Sequence, residues 1–159
     1  MLRLVAAWHK ELGSAGGALR TWPRSSIGEL RYVEALPRAE AARHDDEPAE
    51  EIRVWTISEL CSSQALLAEG RAMHHCVATY AQRCLWGQSS IWSMQVETRR
   101  GRRRVATIEV RKHDRRIVQA RRAANRWLSA RECEVIARWA ARESLVLGNE
   151  VKPSVLDPR

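Results

Sequence analysis

An imidazole and a thiol, His75 and Cys76, stand side by side in a segment with helical periodicity. Imidazole and thiolate can act as a base and a nucleophile, or as metal ligands. The next cysteine, Cys84, comes eight residues later, which on one helix is roughly 12 Å along the axis and too far to share a zinc ion. We therefore predict no metal site. Two interpretations stay open: His75 or Cys76 acts in catalysis or binding, or the cysteines are buried and unreactive.

A carboxylate among polar side chains forms a second candidate group. Polar and apolar residues alternate in three segments, 90–97, 104–111 and 116–121, which is typical of short strands with one apolar face. One carboxylate amid hydrogen-bond donors can act as a base, a metal ligand or an anchor for an arginine. A solvent-facing sheet surface would have the same pattern. The residues of this polar face are Ser93, Thr107, Glu109, Gln119 and Arg121.

The alternation also predicts how the three strands pair. In an antiparallel meander the apolar faces align in one register only, because a slip of one residue would turn the polar side chains into the core. The expected neighbours are Glu109 with Gln119 and Ser93, and Thr107 with Arg121 and Gln95.

Positive charge is concentrated in one segment. Between Arg99 and Arg126 stand twelve Lys or Arg residues and two acidic residues, in a chain whose net charge is +8. Such a block attracts polyanions and gives salt-dependent affinity for nucleic acid, although solvated hairpin loops would have the same composition. The arginines expected to contact nucleic acid are Arg99, Arg100, Arg102, Arg103, Arg104, Arg115 and Arg116.

Helices must hold these candidate residues in place. Apolar residues with helical spacing predict a helix over about 72–85, with a shorter helix around 58–67 before it. Ser129 followed by Glu132 is a capping-box pattern ahead of an apolar stripe, which predicts a helix over about 130–143. The helices over 72–85 and 130–143 are expected to cover the apolar face of a three-stranded antiparallel meander. The result is an α+β fold of two layers.

Composition divides the chain into four parts. We expect an N-terminal helical remnant over 1–36, an acidic linker over 37–52, the core domain over 53–146 and a tail over 147–159. No segment approaches the roughly 20 apolar residues of a membrane helix, and the first residues lack the features of a signal peptide. The cysteines are too irregularly spaced for a disulfide framework. We therefore expect a cytoplasmic protein with no membrane partner.

Ordered motifs from about Trp55 to Leu145 resemble the PcfJ-like family, which is named for a protein encoded on a conjugative plasmid. They are a His-Cys-Val step followed by a Tyr, an Ile-Trp-Ser strand, a Thr-Ile-Glu strand, and a Gln-Ala-Arg step leading to Asn-Arg. The matching residues are His75, Cys76, Val77 and Tyr80; Ile91, Trp92 and Ser93; Thr107, Ile108 and Glu109; and Gln119, Ala120, Arg121, Asn125 and Arg126. The resemblance implies a plasmid or mobile-element context and no established reaction, so the cofactor is unknown.

One residue departs from the family pattern. Arg122 stands where that pattern has a glycine. If the glycine provides a positive φ or a close backbone approach, Arg122 either strains the turn or indicates that the bend lies elsewhere.

Three functions follow as hypotheses. We favour a module that binds nucleic acid through segment 99–126. The first alternative is an enzyme of nuclease or phosphoryl-transfer type, for which a divalent metal ion is a candidate cofactor and which requires His75 to face Glu109. The second alternative is a protein-interaction domain with an acidic partner. The enzyme hypothesis assigns catalysis to His75, Cys76 and Glu109, and substrate binding to Tyr80, Ser93, Thr107, Gln119, Arg121, Asn125 and Arg126.

Overall fold

The protein is seen in a computed structural model that describes residues 20–37, 50–75 and 78–151. The strands form one six-stranded sheet in chain order, antiparallel throughout except that β6 runs parallel to β5. The elements are β1 (Leu30–Pro37), β2 (Glu50–Leu60), α1 (Ser63–Met73), α2 (Ala78–Leu85), β3 (Ser89–Thr98), β4 (Gly101–Arg111), β5 (Arg116–Arg121), a 3₁₀ turn (Ala123–Asn125), α3 (Ala130–Glu143), β6 (Val146–Leu147) and a second 3₁₀ turn (Asn149–Val151).

The α+β class is confirmed, but the sheet is larger than the predicted three-stranded meander. The three predicted strands are present as β3, β4 and β5, while β1, β2 and β6 extend the sheet on both sides. Most of β1 lies in the predicted helical remnant over 1–36, and the acidic start of β2 lies in the predicted linker over 37–52, so neither strand was predicted. Glu34 of β1 is buried and accepts a hydrogen bond of 3.0 Å from Trp55 Nε1 of β2.

The register of the predicted strands is confirmed between β4 and β5 and differs between β3 and β4. Glu109 lies opposite Gln119, and Thr107 lies opposite Arg121. On the other side of β4, Thr107 faces Ser93 and Glu109 faces Ile91, so β3 is offset from the predicted pairing by two residues. A shift of that even number keeps Ser93, Thr107 and Glu109 on their predicted face. The bulge between Met94 and Gln95 turns Arg104 to the polar face, where it binds Glu69.

One face of the sheet is the apolar core. Helix α3 lies on it, and Trp139 of this helix contacts Trp92 of β3 with ring centroids 4.9 Å apart. The capping box predicted for this helix is present: Ser129 accepts from the backbone of Glu132, and the Glu132 side chain accepts from the backbone of Ser129. The helix begins and ends where the sequence predicts.

The prediction of two layers is wrong, because the other face of the sheet is also covered. Helices α1 and α2 lie on this polar side. Glu69 of α1 accepts a hydrogen bond from Ser93 of β3, and Tyr80 of α2 donates one to Gln119 of β5. The sheet therefore lies between α3 on its apolar face and α1 with α2 on its polar face. From the sequence alone the polar face would be expected to contact solvent. The third layer of helices instead buries most of it.

The single helix predicted over 72–85 is in fact two helices. Helix α1 ends at Met73, and His74 adopts left-handed backbone angles (φ 54°, ψ 43°). The backbone N–H of His75 then donates to the carbonyl of Gly70 at 3.1 Å, an arrangement that satisfies the end of the helix. The predicted short helix over 58–67 is wrong in its first part, since β2 continues to Leu60 and α1 starts at Ser63.

The predicted division into four parts concerns residues that are only partly described. Residues 1–19, 38–49 and 152–159 lie outside the described ranges. The sheet itself includes Leu30–Pro37, ahead of the predicted core domain. Among the described residues, no helix has the length and apolar character required to cross a membrane.

Candidate functional site

A buried carboxylate joins α1 to the polar face of the sheet. Glu69 is fully buried, and its oxygens accept hydrogen bonds from Ser93 Oγ (2.9 Å), Thr107 Oγ1 (2.8 Å) and Arg104 Nε (2.9 Å). Burial raises the pKa of the Glu69 carboxyl, while the three hydrogen bonds and the Arg104 charge oppose that shift. Glu69 thereby fixes the helix whose end carries His75.

His75 points into this interface. Its exposed fraction is 5%, and its Nδ1 lies 2.9 Å from the amide oxygen of Asn125. Because an amide oxygen can only accept, this contact puts the proton on Nδ1 and leaves Nε2 with a free lone pair. Nε2 is buried without a hydrogen-bond partner among the described residues. Burial lowers the pKa of His75, and the nearby Asn125 side chain and Arg121 backbone oppose that shift, so the ring is neutral at pH 7.

His75 lines a small inner cavity together with residues of α2, β3, β4, β5 and the turn after β5. The volume of this cavity is about 10 Å³, close to the smallest volume that admits one water molecule. Its walls supply a carboxylate, a guanidinium, two hydroxyl groups and two amides beside the imidazole. The lining residues are His75, Tyr80, Ile91, Thr107, Glu109, Gln119, Arg121 and Asn125.

A second, much larger cleft adjoins this inner cavity. Its volume is about 730 Å³, within the usual range of small-molecule sites. Glu109 and Gln119 line both spaces. The lining of this outer cleft consists of Arg83, Gly87, Gln88, Ser89, Glu109, Arg111, His113, Val118 and Gln119.

Glu109 is held at the boundary of the two spaces by neighbouring donors. It is almost fully buried and accepts from Arg83 Nη1 at 3.0 Å and from Ser89 Oγ at 2.9 Å. Gln119 beside it accepts a hydrogen bond from the Tyr80 hydroxyl. Two side chains of α2, Arg83 and Tyr80, thus attach the helix to the sheet at the point where the outer cleft meets the inner cavity.

The turn after β5 positions Asn125. Ala124 and Asn125 have positive φ angles of 57° and 59°, and asparagine tolerates this region better than most residues. Arg122 has extended backbone angles (φ −75°, ψ 177°) and forms an ion pair of 3.1 Å with Glu132. The bend therefore lies two residues after the position where the family pattern has a glycine. Arg122 is not strained.

Most of the predicted site residues meet at the inner cavity. His75, Tyr80, Thr107, Glu109, Gln119, Arg121 and Asn125 all line it. Ser93 lies under α1 with Glu69 instead, and Arg126 Nε bonds to the carbonyl of Ala123 in the turn. Cys76 lies outside the described residues.

Sequence reasoning missed Glu69 and Arg83. Glu69 stands between Ala68 and Gly70, and a single acidic residue in a helix is usually exposed. The available signal was its spacing, because Glu69 lies three residues after Leu66 and four before Met73, both buried. It therefore belongs to the buried face of α1.

The cysteine thiols among the described residues are unreactive. Cys84 is buried, and burial raises the pKa of its thiol to about 12. Such a thiol stays protonated at neutral pH and is a poor nucleophile. Within the described ranges, no three His, Cys, Asp or Glu side chains are placed so that they could hold a metal ion.

The basic segment does not form one patch. Arg99, Arg100 and Arg103 lie at the β3–β4 hairpin, whereas Arg115 and Arg116 lie at the far end of β4, roughly 30 Å away at about 3.3 Å per residue. Several arginines are already paired within the fold. These pairs are Arg102 with Glu97, Arg104 with Glu69, Arg116 with Asp114, and Arg115 with the carbonyl of Glu143.

The buried histidine makes stability depend on pH. Because the pKa of His75 is lower in the folded chain, the unfolded chain binds this proton first as the pH falls. The stabilising effect is complete above about pH 6.5 and is lost as the pH drops toward the lowered pKa. Urea unfolding at pH 7 and pH 5 should show a larger loss of stability for wild type than for His75→Asn. An equal loss in both proteins would contradict a buried, neutral His75.

Comparison with known proteins places these residues in a family. A family model described as PcfJ-like protein matches residues 33–136, more than half of the 159 residues in the chain. This span includes β2 to β5, both helices of the polar face and the turn that carries Asn125. No curated protein and no solved structure matches the chain.

Proposed function

The chain belongs to the PcfJ-like protein family, and we propose that it is a phosphoryl-transfer enzyme of nuclease type with His75 as the general base. The inner cavity is the reaction site, and the outer cleft holds the nucleic acid. The plasmid or mobile-element context that the resemblance implies is part of the same proposal. This assignment prefers the enzyme over the binding module because the site residues converge, whereas the basic segment is divided.

One observation carries the proposal: the buried imidazole of His75 lines a polar cavity, and its Nε2 has no hydrogen-bond partner among the described residues. A buried polar atom without a partner costs free energy. Proteins keep such groups where they serve function, and a histidine of lowered pKa is a suitable base at neutral pH. Its Nδ1–H is held by Asn125 at 2.9 Å, which fixes the tautomer that a base requires.

The proposed step is hydrolysis of a phosphodiester. A water molecule in the inner cavity gives a proton to His75 Nε2 while its oxygen forms a bond to phosphorus. The bond from phosphorus to the leaving oxygen breaks, and that oxygen takes a proton from solvent in the outer cleft. His75 then returns its proton to solvent, so the products are a phosphate monoester and a free hydroxyl group.

Cationic side chains would stabilise the charge that develops on phosphorus. Arg83 uses only Nη1 to bind Glu109, so its Nε and Nη2 have no partner among the described residues. Arg121 lines the inner cavity. Its guanidinium also lies 3.9 Å from the ring centroid of the exposed Trp127. Planar guanidinium groups suit phosphate oxygens in this role. Glu109 and Gln119 position the reacting groups at the boundary.

Hydrolysis of labelled nucleic acids tests this function. The purified chain is incubated with single-stranded and duplex DNA and RNA, with and without divalent metal ions, and products are separated by length. Cleavage with a 5′ or 3′ phosphate end would support the proposal. Binding without cleavage under every condition would overturn the catalytic assignment and leave a binding module.

A second candidate, binding through the β3–β4 hairpin, is favoured by three exposed arginines. Arg99, Arg100 and Arg103 have no ion-pair partner among the described residues. Replacing all three with glutamine should reduce the slope of log K against log salt concentration by about 2–3, since each phosphate contact contributes roughly 0.7–0.9. Fluorescence anisotropy from 50 to 300 mM salt measures that slope.

The matched control replaces Arg115 and Arg116, which lie at the opposite end of β4. An unchanged slope in this double variant would place nucleic acid at the hairpin alone. If the hairpin variant keeps the wild-type slope, the hairpin is not a nucleic-acid contact.

A further inference from the structure

Trp86 is an exposed aromatic side chain at the end of α2. Its exposed fraction is 66%, far above what a core or helix-packing role would give. The backbone under it is well held: Trp86 N–H donates to Gln82 at 3.0 Å, and Gly87, with φ of 71°, donates to Cys84 at 3.1 Å. An exposed indole on a hydrogen-bonded backbone is suited to stacking on a planar ligand.

Trp86 is adjacent in sequence to residues that line the outer cleft. The next three residues, Gly87, Gln88 and Ser89, all line that cleft, as does Arg83 one helical turn earlier. The backbone carbonyl of Gln88 accepts a hydrogen bond of 2.9 Å from the backbone N–H of Lys112. The backbone of Trp86 is thus close to the cleft that Arg83 lines, and among the described residues Arg83 Nε and Nη2 have no partner.

The volumes of the inner cavity and the outer cleft determine which part of a nucleotide each can hold. The inner cavity, at about 10 Å³, admits a water molecule and no ring. The outer cleft, at about 730 Å³, has room for a nucleotide. A ligand that brings its phosphate toward His75 must therefore keep its base in the outer cleft, whose lining includes Gly87, the residue after Trp86.

From this arrangement we propose that the outer cleft binds single-stranded nucleic acid, with one unpaired base stacked on Trp86 and the adjacent phosphate held by Arg83. This inference rests on the proposed function and specifies its substrate. A single strand is required because bases within a duplex already stack on one another and hide their faces. Stacking is tolerant of base identity, so little sequence preference is expected.

Binding of short single-stranded oligonucleotides, separately from hydrolysis, tests the inference. Labelled oligo-dT and oligo-rU of eight nucleotides, and a duplex of equal length, are titrated with wild type, Trp86→Ala, Trp86→Phe and Leu85→Ala. Leu85 is the matched control because it is the adjacent exposed apolar residue, at 38% exposure, and lacks an aromatic face. Hydrolysis of bis(p-nitrophenyl) phosphate, which has no nucleobase, is measured on the same proteins.

We expect Trp86→Ala to weaken single-strand binding about 5- to 100-fold, with Trp86→Phe restoring most of it and Leu85→Ala close to wild type. Weaker binding of the duplex by wild type is also expected. Equal affinity of wild type and Trp86→Ala, or no binding of single strands at all, would overturn the stacking proposal. If Trp86-dependent binding occurs but no phosphodiester is hydrolysed, the stacking proposal stands and the catalytic one fails.

Discussion

Replacing Glu69 with alanine is expected to lower the free energy of unfolding by about 2–4 kcal/mol. The buried hydroxyls of Ser93 and Thr107 would lose their acceptor, and each unsatisfied group costs roughly 1–3 kcal/mol. The cavity left by the shorter side chain adds to the loss of stability. Removal of a desolvated carboxylate offsets part of that loss. Arg104 contributes less, because its side chain is 38% exposed and can turn to water. Urea unfolding followed by circular dichroism at pH 7 measures the change.

The control for Glu69 is an acidic residue in an exposed pair. Glu97 binds Arg102 at 2.9 Å, with exposed fractions of 50% and 59%, so Glu97→Ala should cost less than about 1 kcal/mol. Glu69→Gln should fall between the two, since one oxygen acceptor remains. If Glu69→Ala is no more destabilising than Glu97→Ala, then Glu69 does not anchor α1 to the sheet.

Replacing His75 with asparagine is expected to lower kcat/KM for nucleic-acid hydrolysis about 10²- to 10⁴-fold, the usual contribution of a general base. Asparagine has no group that accepts a proton at neutral pH. In wild type the base is active when neutral, and burial lowers the pKa of His75. The rate should therefore stay level as the pH falls to about 6.5 and decline below it. Rates between pH 5 and pH 8 provide both measurements.

The neighbouring histidine is the matched control for this experiment. His74 is exposed and has a φ of 54°, which asparagine tolerates. His74→Asn should keep the rate and the pH profile of wild type. Equal losses in the two variants, or full activity in His75→Asn, would remove His75 from the reaction.

The polar face of the sheet shows which structural features the sequence pattern predicts and which it does not. Strict alternation in β4 and β5 placed Thr107, Glu109, Gln119 and Arg121 on one face and in the observed register, since a slip of one residue would bury them in the apolar core. Alternation has a period of two, so it cannot distinguish the predicted β3 register from the observed one. Strand β1 was missed because it lies mostly in the predicted helical remnant, and burial of its Glu34 depends on Trp55, a partner on another strand.

The amino-acid sequence by itself determined the α+β class, the three central strands, the capped helix α3 and the family. These features follow from local patterns: strand alternation, helical spacing and a capping box are set by residues close in the chain. Only the tertiary structure decided that α1 and α2 cover the polar face and bring His75 to Glu109. That outcome depends on hydrogen bonds between residues far apart in sequence, such as Glu69 with Thr107 and His75 with Asn125, whose partners no local pattern identifies.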